Sequence, residues 1–329
     1  MKGRATDRDR IAVAIGDPNG IGPEISVKAA ARFSGSDLQP VLVGDAYVIE
    51  EYARRHGAGL PLVPFGQEDG EPCLSYLGVE ALARKDFTPG RLSPAAGRAT
   101  VAYLDAAVRL AQAGTVRGIV GCPHSETAIN AAGIAFSGYP GLIAQLTGTP
   151  ADKVFLMLVA AGLRIAHVTL HESLRTALDR ITVTRVVEAG VAAMAAANKL
   201  GLRDARLGVF GINPHAGEGG LFGDDDERIT RPAVLRLRAL GIAADGPVGA
   251  DLLLGQGKHD VYLAMFHDQG HIPIKLLSPL RSSALSIGTD LLFSSVGHGC
   301  AFDIAGTGVA DPAAVIETLS LLHGSAQGQ

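Results

Sequence analysis

Short apolar runs alternate along the whole chain with longer segments rich in alanine. The runs have the length of buried strands, and many of them end at glycine or proline. The longer segments carry apolar residues every three or four positions, as helices that cover a sheet do. This alternation predicts an α/β fold. The predicted strands are residues 11–15, 40–43, 118–120, 164–169, 207–210 and 261–265, and the predicted covering helices are residues 96–113, 182–200 and 231–239.

One long segment, residues 58–88, lacks this periodicity. It contains several proline and glycine residues, so we predict an irregular excursion there. The chain of 329 residues has the length of two ordinary domains or of one large α/β unit.

Composition and charge exclude several classes of protein. The chain is 47% hydrophobic and 19% charged, which is typical of a compact globular protein. Its net charge is −4 and it has no long basic run, so we expect no nucleic-acid partner. The longest uncharged apolar stretch, residues 155–163, is far shorter than the roughly 20 residues that cross a bilayer. We expect a soluble cytoplasmic protein whose three widely spaced cysteines are reduced.

The first loop, residues 16–24, follows a predicted strand and reads Gly-Asp-Pro-Asn-Gly-Ile-Gly-Pro-Glu. Its glycines allow close approach of the backbone, and Pro23 is placed to begin a helix. The loop therefore either faces a ligand or is a tight strand-to-helix turn. It lacks the Gly-x-Gly-x-x-Gly spacing, so an ordinary Rossmann dinucleotide site is not indicated.

Histidines lie in several polar, turn-rich segments near predicted strand ends. Three neutral imidazoles from separate loops can hold a divalent metal, and their softness favours zinc or another transition ion over magnesium. The spacing leaves open which three take part. The histidines in such segments are His124, His171, His215, His267, His271 and His298, whereas we expect ordinary surface or core positions for His56, His167, His259 and His323.

A glycine-rich loop near the carboxyl end, residues 294–306, combines one imidazole with one carboxylate. Such a loop can wrap the adenine and ribose of a nucleotide, or it can simply connect a strand to the last helix.

Segments 16–24, 213–218, 267–275 and 298–306 together resemble the family of 4-hydroxythreonine-4-phosphate dehydrogenases over nearly the whole chain. The last segment is also similar to the NAD-contacting loop of isocitrate and isopropylmalate dehydrogenases. The resemblance implies two α/β/α domains of that architecture, with the active site in the interdomain cleft at a homodimer interface. The expected domains are residues 1–125 with 285–329 on the cofactor side, and residues 126–284 carrying the metal ligands and the dimer contact.

The resemblance also implies roles for individual residues. Two of the three metal ligands would come from one subunit and the third from its partner. Lys275 would bind a substrate carboxylate or transfer a proton, unless it forms a structural ion pair. Arg281 would either hold a remote carboxylate or be solvated in its polar loop. The implied metal ligands are His171, His215 and, from the partner, His267; the implied catalytic residues are Lys275, His124, Asp251 and Asp268; the implied substrate contacts are His124, Ser125, Lys275, Arg281 and Phe293; and the implied cofactor contacts are Gly297, His298, Gly299, Asp303 and Gly306.

Two departures bear on the substrate. The phosphate-using enzymes carry an Asn and an Arg where this chain aligns Ala284 and Phe293, so a principal means of binding a phosphate dianion is missing. Segments 122–129, 133–140 and 155–174 look most like the branch that acts on terephthalate cis-dihydrodiol. We therefore expect metal-dependent, NAD-linked oxidative decarboxylation of a carboxylated cis-dihydrodiol, giving protocatechuate from the terephthalate diol. NAD is favoured over NADP because the glycine-rich loop has no Arg or Lys cluster.

Two other functions remain as alternatives. One is a 4-hydroxythreonine-4-phosphate dehydrogenase of pyridoxal phosphate biosynthesis, or a related phosphorylated sugar-acid dehydrogenase. The other, more remote, is a phosphate acyltransferase, which shares the two-domain architecture but needs no metal site of three histidines.

Overall fold

The computed structural model describes residues 9–279 and 281–324. Within them, strands and helices alternate as the hydrophobic pattern predicts. The strands are β1 (Asp9–Ala14), β2 (Leu38–Gly44), β3 (Leu62–Pro64), β4 (Leu74–Gly78), β5 (Gly118–Gly121), β6 (Phe155–Ala160), β7 (Leu163–His167), β8 (Leu207–Phe210), β9 (Ala244–Val248), β10 (Val261–Ala264), β11 (Ser283–Ile287) and β12 (Phe293–Val296). The helices are α1 (Gly22–Arg32), α2 (Ala46–His56), α3 (Pro94–Gln112), α4 (Glu126–Ala131), α5 (Tyr139–Thr147), α6 (Leu174–Arg180), α7 (Val183–Lys199), α8 (Arg231–Ala239), α9 (Ala250–Gln256), α10 (His267–Leu277) and α11 (Ala313–His323).

The described residues form two compact units. The boundaries between the units fall at residues 142 and 291, whereas the sequence analysis places them at 125 and 285. The first unit holds a parallel sheet in the order β3-β4-β2-β1-β5-β12. Every residue of β2 is buried, as expected for a strand covered on both faces. Helices α1, α3 and α11 pack on this sheet.

The second unit holds strands in the order β11-β6-β7-β10-β8-β9. Strands β7, β10, β8 and β9 are parallel, whereas β6 runs antiparallel to both β7 and β11. Its core is built on Phe210, Tyr262 and Ile274, which are almost completely buried. Helix α7 packs on these strands, and its first turn is capped by Thr182, whose Oγ1 accepts a hydrogen bond from the Arg185 amide.

The prediction of an irregular excursion at 58–88 is wrong in part, because most of the segment is irregular but two short strands lie within it. Strands β3 and β4 lie in this segment and extend the parallel sheet beside β2. The strands have only three and five residues, Leu-Val-Pro and Leu-Ser-Tyr-Leu-Gly, and the segments that flank them are rich in polar residues, glycine and proline. Leu74 is buried against the sheet, which explains why the segment is ordered.

No helix in residues 9–279 and 281–324 is both long enough and apolar enough to span a bilayer.

Candidate active site

Three of the predicted site histidines follow neighbouring strands of the second unit. Strands β7, β10 and β8 lie side by side and run in the same direction, so their carboxyl ends share one edge of the sheet. His171 follows β7, His267 begins the helix after β10, and His215 follows β8. Carboxyl ends of parallel strands are the usual place for ligands in such sheets.

His171 and His267 lie close together at this edge. Their ring centroids are 5.5 Å apart, and both side chains line a cavity of about 430 Å³. Asp268 Oδ1 lies 2.7 Å from His267 Nδ1, so the carboxylate accepts the Nδ1 proton and leaves Nε2 free as a ligand atom. The other residues that line the cavity are Leu170, Glu172, Leu174, Ala177, Phe266 and Asp268.

His215 lies on a turn of unusual backbone conformation. His215, Ala216 and Glu218 have φ values of 53°, 52° and 41°, which places three non-glycine residues in the left-handed region. The buried carboxylate of Asp226 anchors the turn by accepting hydrogen bonds from the amides of Ile212 and Asn213 at 2.8 and 2.9 Å. The imidazole itself is exposed, and its Nδ1 is 2.9 Å from Glu218 Oε2.

Among the described residues of one chain, no group of three His, Cys, Asp or Glu side chains is placed to hold a metal ion. The chemistry of the pair at His171 and His267 nevertheless fits a divalent transition metal, because both are accessible imidazoles and one is oriented by a carboxylate. A third donor has to come from outside this pair. The pairing within one chain also differs from the implied partition, in which His171 and His215 share a subunit and His267 belongs to its partner.

Two further histidines, His271 and His167, lie behind this pair, and the sequence does not predict that they are in contact with each other. The His271 ring stacks on His267 with centroids 3.6 Å apart and an interplanar angle of 14°. His271 Nδ1 is 3.1 Å from Nε2 of His167, which is fully buried and was assigned an ordinary core position. Burial lowers the pKa of His167 to about 3 and that of His271 to about 4. In the sequence, His271 is indicated as a candidate because it is the second histidine of the segment His-Asp-Gln-Gly-His.

The predicted catalytic residues of the second unit lie on two helices, Asp268 and Lys275 on α10 and Asp251 on α9. Lys275 lies on α10, and its Nζ donates to Ser282 Oγ at 3.0 Å. Partial burial lowers the pKa of this ammonium, the direction that a proton-transfer role requires. Asp251 is exposed at the start of α9, and Arg281 is exposed before β11.

In the first unit, His124 belongs to a cluster of aromatic rings. Its ring centroid is 4.9 Å from that of Phe136 and 4.3 Å from that of Tyr139, and Tyr139 in turn contacts Phe293 at 5.1 Å. Burial lowers the pKa of His124 to about 4, so its imidazole is neutral near pH 7. Ser125 caps α4, accepting a hydrogen bond from the Ala128 amide.

Phe293 is not placed to contact a substrate directly, contrary to the prediction. The side chain is only 1% exposed, and its ring packs behind Tyr139. Any influence of Phe293 on a ligand therefore passes through Tyr139 and His124.

The predicted cofactor residues lie together on the loop between β12 and α11. This loop, which contains Gly297, His298, Gly299, Asp303 and Gly306, is bound to the glycine-rich first loop. Ile21 donates its amide hydrogen to the Cys300 carbonyl at 2.9 Å. The buried Glu24 carboxylate accepts hydrogen bonds from the amides of Gly308 and Ala310. The two loops thus form one structural element of the first unit.

Comparison with known proteins defines the class. The chain is 50% identical over 313 residues to 1,2-dihydroxy-3,5-cyclohexadiene-1,4-dicarboxylate dehydrogenase from Comamonas sp., covering 95% of this chain and 96% of the relative. This chain is therefore an enzyme of the dehydrogenase class, and its dehydrogenase relatives imply a nicotinamide cofactor. The sequence profile described as "Pyridoxal phosphate biosynthetic protein PdxA" matches residues 36–322. The chain belongs to the PdxA family, for which a divalent metal is implied.

Solved structures agree with this assignment. A terephthalate 1,2-cis-dihydrodiol dehydrogenase from Burkholderia xenovorans LB400 is 49% identical, with a TM-score of 0.78 and coverage of 97% of this chain and 98% of that one. A 4-hydroxythreonine-4-phosphate dehydrogenase from Klebsiella pneumoniae is 33% identical, with a TM-score of 0.85 and coverage of 97% and 100%. A β-decarboxylating dehydrogenase from Thermococcus kodakarensis, 15% identical with a TM-score of 0.50 and coverage of 95% and 82%, is similar in fold alone.

Proposed function

We propose that this enzyme catalyses the NAD-linked, metal-dependent oxidation and decarboxylation of a carboxylated cis-dihydrodiol, with terephthalate 1,2-cis-dihydrodiol as substrate and protocatechuate as product. The observation that carries the proposal is the 50% identity, over 95% of the chain, to a dehydrogenase of a dihydroxycyclohexadiene dicarboxylate.

The side chains at two positions support a substrate without phosphate. Ala284 packs on the apolar core of the second unit, and Phe293 is buried in the first. Neither offers the guanidinium fork that suits a phosphate dianion. The rings of Tyr139 and Phe136 around His124 add apolar surface beside a residue that we assign to substrate binding. Such surroundings suit a ring better than a phosphorylated chain.

The metal would be held by His171, His215 and His267, with zinc favoured by three imidazole ligands. When bound, a divalent cation supplies Lewis acidity toward the diol oxygens, and NAD⁺ accepts the hydride. The exposed His215 and the pair of His171 and His267 support an arrangement completed by a second subunit. The location of the site in the interdomain cleft at a dimer interface stays a prediction.

The remaining roles belong to this chain's own side chains. Lys275, whose partial burial lowers its pKa, is suited to bind the carboxylate that is lost or to transfer a proton. Neutral His124 can donate or accept one hydrogen bond at the substrate. Arg281 would hold the remote carboxylate. Asp268 orients His267, and a catalytic role for Asp251 stays a prediction.

The cofactor is assigned to the loop after β12. Residues 297–310 contain no Arg or Lys to meet a 2′-phosphate, which favours NAD over NADP. Gly297, His298, Gly299, Asp303 and Gly306 are the proposed contacts.

The proposal is tested by following NADH formation with added divalent metal, comparing terephthalate cis-dihydrodiol with 4-hydroxythreonine 4-phosphate. We expect strong preference for the diol, with release of protocatechuate and carbon dioxide. Preference for the phosphorylated amino acid would contradict the proposal and support the alternative function in pyridoxal phosphate biosynthesis. Turnover that is unchanged after complete removal of metal would contradict the assigned metal site.

A further inference from the structure

His267 is held from two sides by side chains of its own chain. On one side, Asp268 accepts its Nδ1 proton at 2.7 Å. On the other side, the His271 ring, one helical turn later on α10, is stacked on it at 3.6 Å and nearly parallel. The carboxylate sets the tautomer of His267, whereas the stacked ring restricts rotation of its plane.

The donors and acceptors behind His271 form an ordered chain. The Leu156 carbonyl can only accept, so His167 Nδ1, 3.3 Å away, carries a proton and His167 Nε2 is left as an acceptor. His271 Nδ1 lies 3.1 Å from that Nε2 and 3.2 Å from the His267 carbonyl. A single proton on His271 Nδ1 serves both acceptors, so the ring of His271 has one satisfied orientation.

Position 270 is adapted to this arrangement. A Cβ on Gly270 would lie 2.2 Å from His167 Nε2, so only glycine lets α10 approach the buried imidazole. Burying polar imidazoles costs more than burying aliphatic side chains of similar size. If this region served only for packing, apolar side chains would fill it at a lower cost in free energy. The two hydrogen-bonded imidazoles therefore point to a role beyond packing.

We propose that His271, held in place by His167, is a positioning residue that fixes the ring plane of His267 for metal binding. The inference rests on the proposed metal site. Removal of a residue that orients a metal-binding histidine typically lowers metal affinity by roughly 10–100-fold.

The experiment titrates Co²⁺ into the full-length, metal-free enzyme and follows the d–d absorption bands, which report both affinity and ligand geometry. The variants are His271→Gln and His167→Gln. His259→Gln is the matched control, because His259 is also a buried imidazole paired with a polar group, Asp245 at 3.0 Å, on the far end of the same strands. Thermal unfolding without metal shows that each variant is folded.

We expect both variants to bind Co²⁺ roughly 10–100-fold more weakly than wild type, with altered bands, and the control to stay within twofold. Unchanged affinity in His271→Gln, or an equal loss in His259→Gln, overturns the inference while leaving the metal site standing. Absence of Co²⁺ binding by wild type overturns both. If His167→Gln fails to fold, the part-exposed position 271 carries the test alone.

Discussion

A side chain at position 270 would overlap the imidazole of His167 on β7. A Cβ added to Gly270 would lie only 2.2 Å from His167 Nε2. Since both neighbours are held by the sheet and by α10, we expect Gly270→Ala to lower the free energy of unfolding by about 1–3 kcal/mol. Urea unfolding measures the loss.

Gly255 provides the control, because it also lies within a helix, α9, but a Cβ there meets no atom within 4 Å. Gly255→Ala should raise stability by up to about 1 kcal/mol, through the helix propensity of alanine. Equal stability of the two variants would contradict the packing described for His167.

Asp17 makes stability depend on pH. The residue is fully buried in the first loop, and burial raises its pKa to about 6, while the Asn19 amide donates to Oδ1 at 2.9 Å and opposes the shift. Between pH 4 and pH 6 the folded chain therefore holds a proton that the unfolded chain has released. Stability from this group is present at low pH and is lost as the pH rises through about 6.

Between pH 5 and pH 8, the free energy of unfolding of Asp17→Asn should decrease by about 1–2 kcal/mol less than that of wild type. The reason is that the amide keeps the Oδ1 acceptor but does not titrate. Chemical unfolding at both pH values measures the difference. Asp37→Asn, at an exposed aspartate, should leave the difference as in wild type. A pH dependence unchanged in Asp17→Asn would show that this carboxyl does not titrate in the window.

At the scale of residues, the positions of His171, His215 and His267 after strands were predictable, because each stands beside a turn that the sequence shows. The contact between His167 and His271 was not, because it joins residues 104 positions apart and depends on how β7 and α10 pack. The burial of Phe293 escaped for a similar reason, since an apolar side chain in a strand looks alike whether it lines a pocket or a core.

At the scale of elements, the turn that carries His215 depends on Asp226. Both oxygens of this buried carboxylate accept backbone amides, and Thr230 Oγ1 donates to Oδ1 at 2.6 Å. Asp226→Asn replaces one acceptor by a donor facing an amide. We expect a loss of about 2–4 kcal/mol in the free energy of unfolding, together with weaker metal binding, because the left-handed turn loses its support.

The control is Asp224→Asn, at an exposed position of the same segment where the carboxylate pairs with Arg228 at the surface. Its stability should stay within about 0.5 kcal/mol of wild type. Metal affinity that stays at the wild-type value in a destabilised Asp226→Asn variant would separate the turn from the metal site.

Many of the strands and helices were predictable from the alternation of apolar runs with alanine-rich segments, and several were not. The six predicted strands correspond to β1, β2, β5, β7, β8 and β10, and the three predicted helices to α3, α7 and α8. Strand β6 was not predicted, although its continuous apolar run, Phe155–Ala160, is of the same kind as the runs that were predicted to be buried strands. Helix α10 escaped because it contains Gly270 and Pro273, residues that usually end helices.

At the scale of the whole molecule, exposed apolar side chains concentrate on α10. Ile272, Leu276 and Leu277 are 54%, 78% and 60% exposed, on the same helix that carries His267 and Lys275. An exposed apolar patch beside candidate site residues is typical of an interaction surface, and the second subunit of the proposed homodimer would cover it. We expect wild type to sediment as a dimer and Leu276→Glu to shift it toward monomer.

Leu235→Glu, on the exposed face of α8 with 58% exposure, is the control and should remain dimeric. A wild-type monomer in sedimentation equilibrium would contradict the proposed dimer. Dissociation of both variants alike would show that the surface on α10 has no special part in assembly.

Subunit mixing decides how the metal ligands are divided between subunits. If a site takes two ligands from different subunits, a mixed dimer of the two single-ligand variants regains one intact site; if both come from one subunit, every site stays defective. Since His171 and His267 lie 5.5 Å apart in one chain, we expect His171→Ala mixed with His267→Ala to stay inactive and to bind no added Co²⁺. His215→Ala should regain activity with either, because His215 is exposed and would be supplied by the partner. Recovery in the first mixture, with none between His171→Ala and His215→Ala, would instead support the partition that the family resemblance implies.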